Sequence, residues 1–442
     1  MTLKIAICGG GISGLSLALV LKKFMAPSKL SVDLYEAEPT FTEIGAGITV
    51  WHRTRSVFAS LGLQAALENR ALSPPMTLRK SDTKEPFVFG ALVTPHGCIA
   101  LPRVDLVQLL VESLQIDPMP FLTIHFSKKL VSYDQAADGV TLHFADGSSS
   151  RSDVLVGADG IGSSTRRTMY ADLAERVAQN DPAKADSILQ SAQPTWTGTY
   201  TYRTLLDREK LETVSPQNVM LGGGYLWCGS GKHVVSYPVS STLINILFFD
   251  SIPGGLGKPL PGPSVVAASK DEVVELYKDW EEDLRVVAEN IGNVSKWAIR
   301  HIRSLPQYAD GRVVLIGDSA HAMSTHKGAG AGQAIDDSYV LGRILAHPKV
   351  TTENVAEAFK VYDAIRRPVA SEALECSLRT GFLYEFHPDY LPTGTDVEKL
   401  HAGDRGELKN VADELQDMSY IHWAELPGRE WERALDMLEE RL

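Results

Sequence analysis

The chain has little sulfur chemistry to offer. Its four cysteines, Cys8, Cys98, Cys228 and Cys376, are widely scattered among 442 residues. No CxxC pair and no Cys/His cluster is present, which argues against a zinc site and against a redox disulfide. Isolated thiols fit a reducing compartment, so a cytoplasmic location is expected. No apolar run reaches the roughly 18 residues of a membrane span. The apolar start reads as a buried strand and helix, not a signal peptide, because a glycine triplet interrupts it and Ser31–Tyr35 follows. Positive charge is not in surplus either. The net charge is −12, which disfavours nucleic acid and anionic membranes as partners. A local basic site for a small anion stays open. There is no internal repeat and no long low-complexity segment.

What is present is an ordinary globular composition, 44% hydrophobic and 22% charged, long enough for two or three domains. Lys4–Cys8 reads as a short buried strand, Ser13–Phe24 as a helix and Ser31–Tyr35 as a second strand. Between the first strand and the helix lies Gly9-x-Gly11-x-Ser13-Gly14. The first glycine permits the tight turn, the second lets a pyrophosphate approach the backbone, and the third lets helix and strand pack. The helix start then offers partial positive charge to phosphate. Glu36, at the end of the second strand, is placed to accept ribose hydroxyls. This βαβ unit predicts a dinucleotide site and leaves NAD and FAD open. From Thr195 to Asp250 aromatic and β-branched residues alternate with polar ones, which predicts antiparallel sheet. Lys270–Asn293 reads as one amphipathic helix, and Glu353–Tyr384 as a helix with a kink at Pro368. The tail reads as polar, with a last helix near Arg429–Arg441.

Two further segments separate the cofactors. Val156-Gly157-Ala158-Asp159-Gly160, with Ser163 and Arg166, resembles the Asp-Gly fingerprint of FAD-dependent aromatic hydroxylases. Val314-Leu315-Ile316-Gly317-Asp318, with His321, resembles their Gly-Asp fingerprint. The run Gly328-Ala329-Gly330-Ala331-Gly332 after His326 is similar to the salicylate hydroxylase branch. Three departures stand out: Ser319 for Ala, Thr325 for a proline often found beside the flavin ring, and Lys327 for a frequent Gln or His. The resemblance implies an α/β fold: a Rossmann-like FAD-binding domain of the p-hydroxybenzoate hydroxylase type, an inserted antiparallel-sheet substrate domain and a helical C-terminus. It assigns 1–75, 101–180 and 300–375 to the first, 76–100 and 181–299 to the second, and 376–442 to the third. It also implies that Asp318 binds the ribityl part of FAD, that Arg103 contacts its phosphates or ribityl chain, and that Glu43–Gly47 lies beside the flavin.

The activity so implied is an NAD(P)H-dependent monooxygenase. NADH or NADPH reduces FAD, O2 is trapped as a flavin C4a-hydroperoxide, and a small phenolic substrate is hydroxylated. A salicylate-type hydroxybenzoate, losing CO2, is the leading expectation. The alternative is a biosynthetic phenol hydroxylase that dearomatises a polyketide ring. A flavin-free dehydrogenase is a third reading. A flavin disulfide oxidoreductase fails for want of a cysteine pair. No nucleic acid or membrane partner is expected, and the chain would work as a monomer or homodimer. The protein's part is to orient the ring, exclude water and favour the ionised phenol. Arg203, on a predicted strand, is the candidate for a substrate carboxylate or phenolate, against a plain salt bridge. Tyr237 is a candidate donor, against a core aromatic. His326 is the titratable group expected beside the reacting carbon. His321 reads as structural.

Overall fold

The computed structural model describes residues 2–41, 47–68, 73, 75–115 and 121–442. Glu43 to Ala46 of the predicted flavin loop therefore lie outside the described residues. The predicted βαβ start is there: strand Leu3–Cys8, helix Ile12–Phe24 and strand Leu30–Tyr35. Leu3–Cys8 is central in a six-stranded sheet, with Leu30–Tyr35 and Leu122–His125 on one side, and Val154–Gly157, Val313–Leu315 and Ala309–Asp310 on the other. All pairings are parallel except the last. Strands Val154–Gly157 and Val313–Leu315 are buried on both faces, hence their unbroken apolar runs. Helix Ile12–Phe24 packs on helix Gly330–Leu345, where Gly342 leaves room for Val20. Ser338 Oγ donates to the Ser13 carbonyl at 2.9 Å. The second glycine segment is thereby clamped to the first.

The eight-stranded second sheet runs Val265–Ala268, Val294–His301, Thr195–Asp207, Leu243–Ser251, Lys232–Pro238, Gly224–Gly229, Met76–Lys80, Phe87–Leu92. It is antiparallel except where Gly224–Gly229 meets Met76–Lys80. The long expected helix over 270–293 is instead two, Lys270–Leu276 and Glu282–Asn290. Tertiary contacts break it. The Tyr277 hydroxyl donates to the Phe249 and His233 carbonyls, and Glu281 forms a buried ion pair with Arg79 at 2.8 Å. The tail holds more helix than its polarity suggested. Helix Arg405–Asp417 carries Leu408, Val411, Ala412 and Leu415 at helical spacing, and these residues are buried. It lies on the edge strand Phe87–Leu92, with Gly90 against Ala412. Helix Val355–Tyr384 continues through Pro368. No described helix is long and apolar enough to cross a membrane.

Candidate active site

The glycines of the first motif divide their work as the spacing predicts. Gly9 has φ +113°, and a Cβ there would collide with the Ala158 carbonyl. Gly14 is pressed on the Gly9 carbonyl. A Cβ on Gly11 would meet nothing within 4 Å, because Gly11 faces a cavity of about 700 Å³. It begins helix Ile12–Phe24 with no side-chain cap and no acid in the first turn. Helix Gly330–Leu345 starts the same way, from Ala329. Two helix N-termini without capping side chains thus open on one cavity, an arrangement that favours negative charge.

That cavity is lined by Gly11, Ser13, Gly47, Arg103, Asp318 and Gly328, Ala329, Gly330 and Ala331. Arg203, Tyr237 and His326 face it too. Gly317 has φ +59° and turns the chain at Asp318. Gly317 N–H donates to Asp337 at 2.9 Å, and Arg166 donates to the Ser319 carbonyl at 2.7 Å, fixing that turn. Protein packed round Asp318 pushes its carboxyl pKa up, while His321, Arg103 and Arg166 oppose the shift. His321 pairs with Asp337 at 2.5 Å, in keeping with a structural part.

Five predicted residues stand back from the wall. Gly9 and Gly14 shape the turn, and Gly332 lets helix Gly330–Leu345 approach Thr54. Glu36 accepts the Gly10 N–H at 2.7 Å and the Glu38 N–H at 2.9 Å. Asp159 accepts Ser163 Oγ at 2.5 Å and Thr165 N–H at 3.0 Å, holding the start of helix Ser164–Ala178.

On the sheet side, Arg203 stacks its guanidinium 4.8 Å from the Trp297 ring centre. Its buried Nε makes no hydrogen bond. No carboxylate among the described residues offsets its charge; burial lowers its pKa, and Tyr237 is the one opposing group. Burial also holds the Tyr237 phenol neutral, pushed up to about 12, with Asn245 and Arg203 pulling the other way. Gly47 makes room for this ring: a Cβ there would lie 3.0 Å from the Tyr237 hydroxyl. Phe249 and Leu247 complete an apolar wall.

His326 packs against that wall, its ring centre 5.0 Å from that of Phe249, with neither ring nitrogen in a hydrogen bond of normal geometry. Burial, with His233 beside it, lowers its pKa to about 3, so it is neutral at pH 7. Gly381, in the last turn of helix Val355–Tyr384, is where the His326 ring lies; a glycine inside a helical pattern is a sequence signal for such a close approach. Behind it, His233 stacks on Phe249 at 4.1 Å and shares a 2.8 Å hydrogen bond between Nδ1 and Glu385 Oε1. No local pattern marked His233 or Glu385, which are 152 residues apart. Burial lowers His233 to about 3 and raises Glu385 to about 7. Both shifts favour an uncharged pair. The folded protein therefore keeps a Glu385 proton that the unfolded chain gives up between pH 4.5 and about 7. That contribution is full below pH 4.5 and lost as pH rises through 7. Glu385→Gln is expected to lose less stability than the parent between about pH 5 and 8, as urea midpoints will show. Parallel pH curves would refute the assignment.

A family model described as "FAD binding domain" matches residues 2–222 and 264–377. The chain is 33% identical to salicylate hydroxylase of Pseudomonas putida over 404 residues, 87% of this chain and 86% of that protein. It is 28% identical to 6-methylsalicylate 1-monooxygenase of Aspergillus terreus, covering 88% and 84%. A solved salicylate hydroxylase–substrate complex superposes with a TM-score of 0.80 at 30% identity, over 98% of both chains. With the uncapped helix starts, the open Gly11 and the Arg103/Asp318 pole all suited to a flavin dinucleotide, the chain belongs to the FAD-dependent aromatic hydroxylases, salicylate hydroxylase branch, and is an aromatic-ring monooxygenase.

Proposed function

We propose that the substrate is a salicylate-type hydroxybenzoate, hydroxylated at the carboxylated carbon with loss of CO2. The observation that carries this is Arg203: a guanidinium in an apolar cavity wall with no counter-carboxylate among the described residues. Such a charge is stabilised by an anionic substrate in bidentate contact. FAD, when bound, supplies activated oxygen after reduction by NADH or NADPH. The chain's own residues do the rest. Arg203 would take the carboxylate and hold the ring. Tyr237, protonated at working pH, would donate to the phenolic oxygen. His326, neutral and unpartnered, would accept the phenolic proton; an anion beside it favours its charged form. Phe249, Leu247 and Trp297 exclude water from the ring.

The test is a screen of NADH- and NADPH-dependent O2 uptake with salicylate, 4-hydroxybenzoate and alkylated resorcylic aldehydes, with product masses recorded. Salicylate turned over with CO2 release supports the reading. Turnover of the aldehydes alone would replace it with dearomatisation of a polyketide ring. The nucleotide side has its own check. Asp318→Ala removes a carboxylate worth about 1.5–3 kcal/mol in charge-assisted hydrogen bonds, so FAD should bind tenfold to a hundredfold more weakly, by order of magnitude. A purified variant with full flavin absorbance would remove Asp318 from the site.

A further inference from the structure

The C-terminal segment closes one end of the cavity, beyond the stretch covered by the FAD-binding family model, which stops at residue 377. Ser419 and His422, from the short helix Met418–His422, reach the cavity wall. Lys327, which follows His326 in the cavity wall, meets them there. Its Nζ lies 3.0 Å from Ser419 Oγ and 3.3 Å from the Leu415 carbonyl. Both partners are neutral. Lys327 is only 4% exposed, and among the described residues no carboxylate acts on it.

Lysine is almost never buried unless paired, because taking an ammonium out of water costs several kcal/mol. Its other titratable neighbours do not compensate. Burial holds the Cys376 thiol up, so it is uncharged at pH 7. Burial also holds His422 neutral, with Lys327 and Arg53 adding to the effect. His422 lies flat on Trp51, ring centres 3.6 Å apart. The amine keeps its proton at pH 7, since burial lowers its pKa only to about 8. A charge without a counter-charge, a hydroxyl that gives its proton to the Leu415 carbonyl at 2.9 Å while accepting from that charge, and an aromatic face thus share one wall of the cavity. Arg203 belongs to a different wall, the sheet.

We propose that Lys327, positioned by Ser419, forms a second anion subsite, which takes a further acidic substituent of the aromatic substrate, a second carboxylate or an acidic phenol, in addition to the one held by Arg203. This rests on the hydroxybenzoate reading above. The favoured substrate is then a more acidic ring than salicylate itself.

The experiment uses the FAD-loaded enzyme and measures dissociation constants by flavin absorbance change for salicylate and for the three salicylates carrying one extra carboxyl at ring position 3, 4 or 5. In the parent, one of the three should bind about tenfold tighter than salicylate, the value of one added charged contact. In Lys327→Met that ratio should fall about tenfold, and in Lys327→Arg it should be largely kept. A ratio that Lys327→Met leaves in place, no dicarboxylate preferred by the parent, or loss of FAD from Lys327→Met would each overturn the subsite. Failure of the parent to bind any hydroxybenzoate defeats the underlying reading instead, so the two failures are distinguishable.

Discussion

Glu430→Ala is expected to lose about 3–5 kcal/mol of stability, the cost of stranding buried charge. Glu430 is fully buried and accepts Arg53 at 2.5 Å and Arg366 at 2.6 Å. Arg366 also reaches Asp337 at 2.8 Å, and Arg53 reaches Asp336 at 3.1 Å. Burial alone would raise the Glu430 pKa; Arg366 and Arg53 outweigh it and hold the carboxyl below its ordinary value. The network joins helix Pro427–Arg441 to helix Gly330–Leu345, which opens the cavity, and to helix Val355–Tyr384. Removing the carboxylate leaves two buried guanidiniums facing each other. Glu430→Gln keeps shape and part of the hydrogen bonding, so its loss should be smaller. Urea midpoints at constant pH measure both. A loss under about 0.5 kcal/mol, that of an ordinary surface change, would show that the clasp does not hold the tail. The sign with pH follows from the lowered carboxyl: this stability is present above the ordinary pKa and lost as pH falls through the folded one.

Arg203→Ala should lower kcat/KM for the proposed hydroxybenzoate about 30- to 5000-fold, corresponding to the roughly 2–5 kcal/mol of a desolvated charge contact. KM should rise, and NADH oxidation should uncouple from hydroxylation, because a ring without its anchor is less well placed. Arg203→Lys should recover little, since a lysine lacks the planar fork and the stacking on Trp297. FAD content is the control, and it should not change. Product per NADH, measured by mass, gives the result; unchanged KM and coupling would take Arg203 out of the substrate site.

The legible part of this protein was local. Strand, glycine turn and helix follow one another within residues 3–24, so spacing and periodicity sufficed to find them. Asp318 and the glycine run beside helix Gly330–Leu345 were likewise readable from short segments. Arg203 and Tyr237 were reachable because alternation on a strand tells which residues share a face. Local reasoning stopped where a side chain's neighbour lies far along the chain. Glu36 carried the right motif position, but its hold on the Gly10 N–H, 26 residues back, was not legible there. Lys327 showed only as an unusual residue in a motif, and the tail as polar with a last helix near Arg429–Arg441, without its contacts to the cavity.

The sequence by itself determined that a nucleotide-binding βαβ unit forms and that two distant fingerprints complete it, since turn geometry and helix dipoles act over a few residues. Only the tertiary structure decided which charges lack a counter-ion. Arg203 facing the cavity, Lys327 against Ser419 and Glu430 between Arg53 and Arg366 depend on contacts between segments brought together from 64 to 377 residues apart. Burial strengthens electrostatics by removing water, and no local pattern states where water is removed.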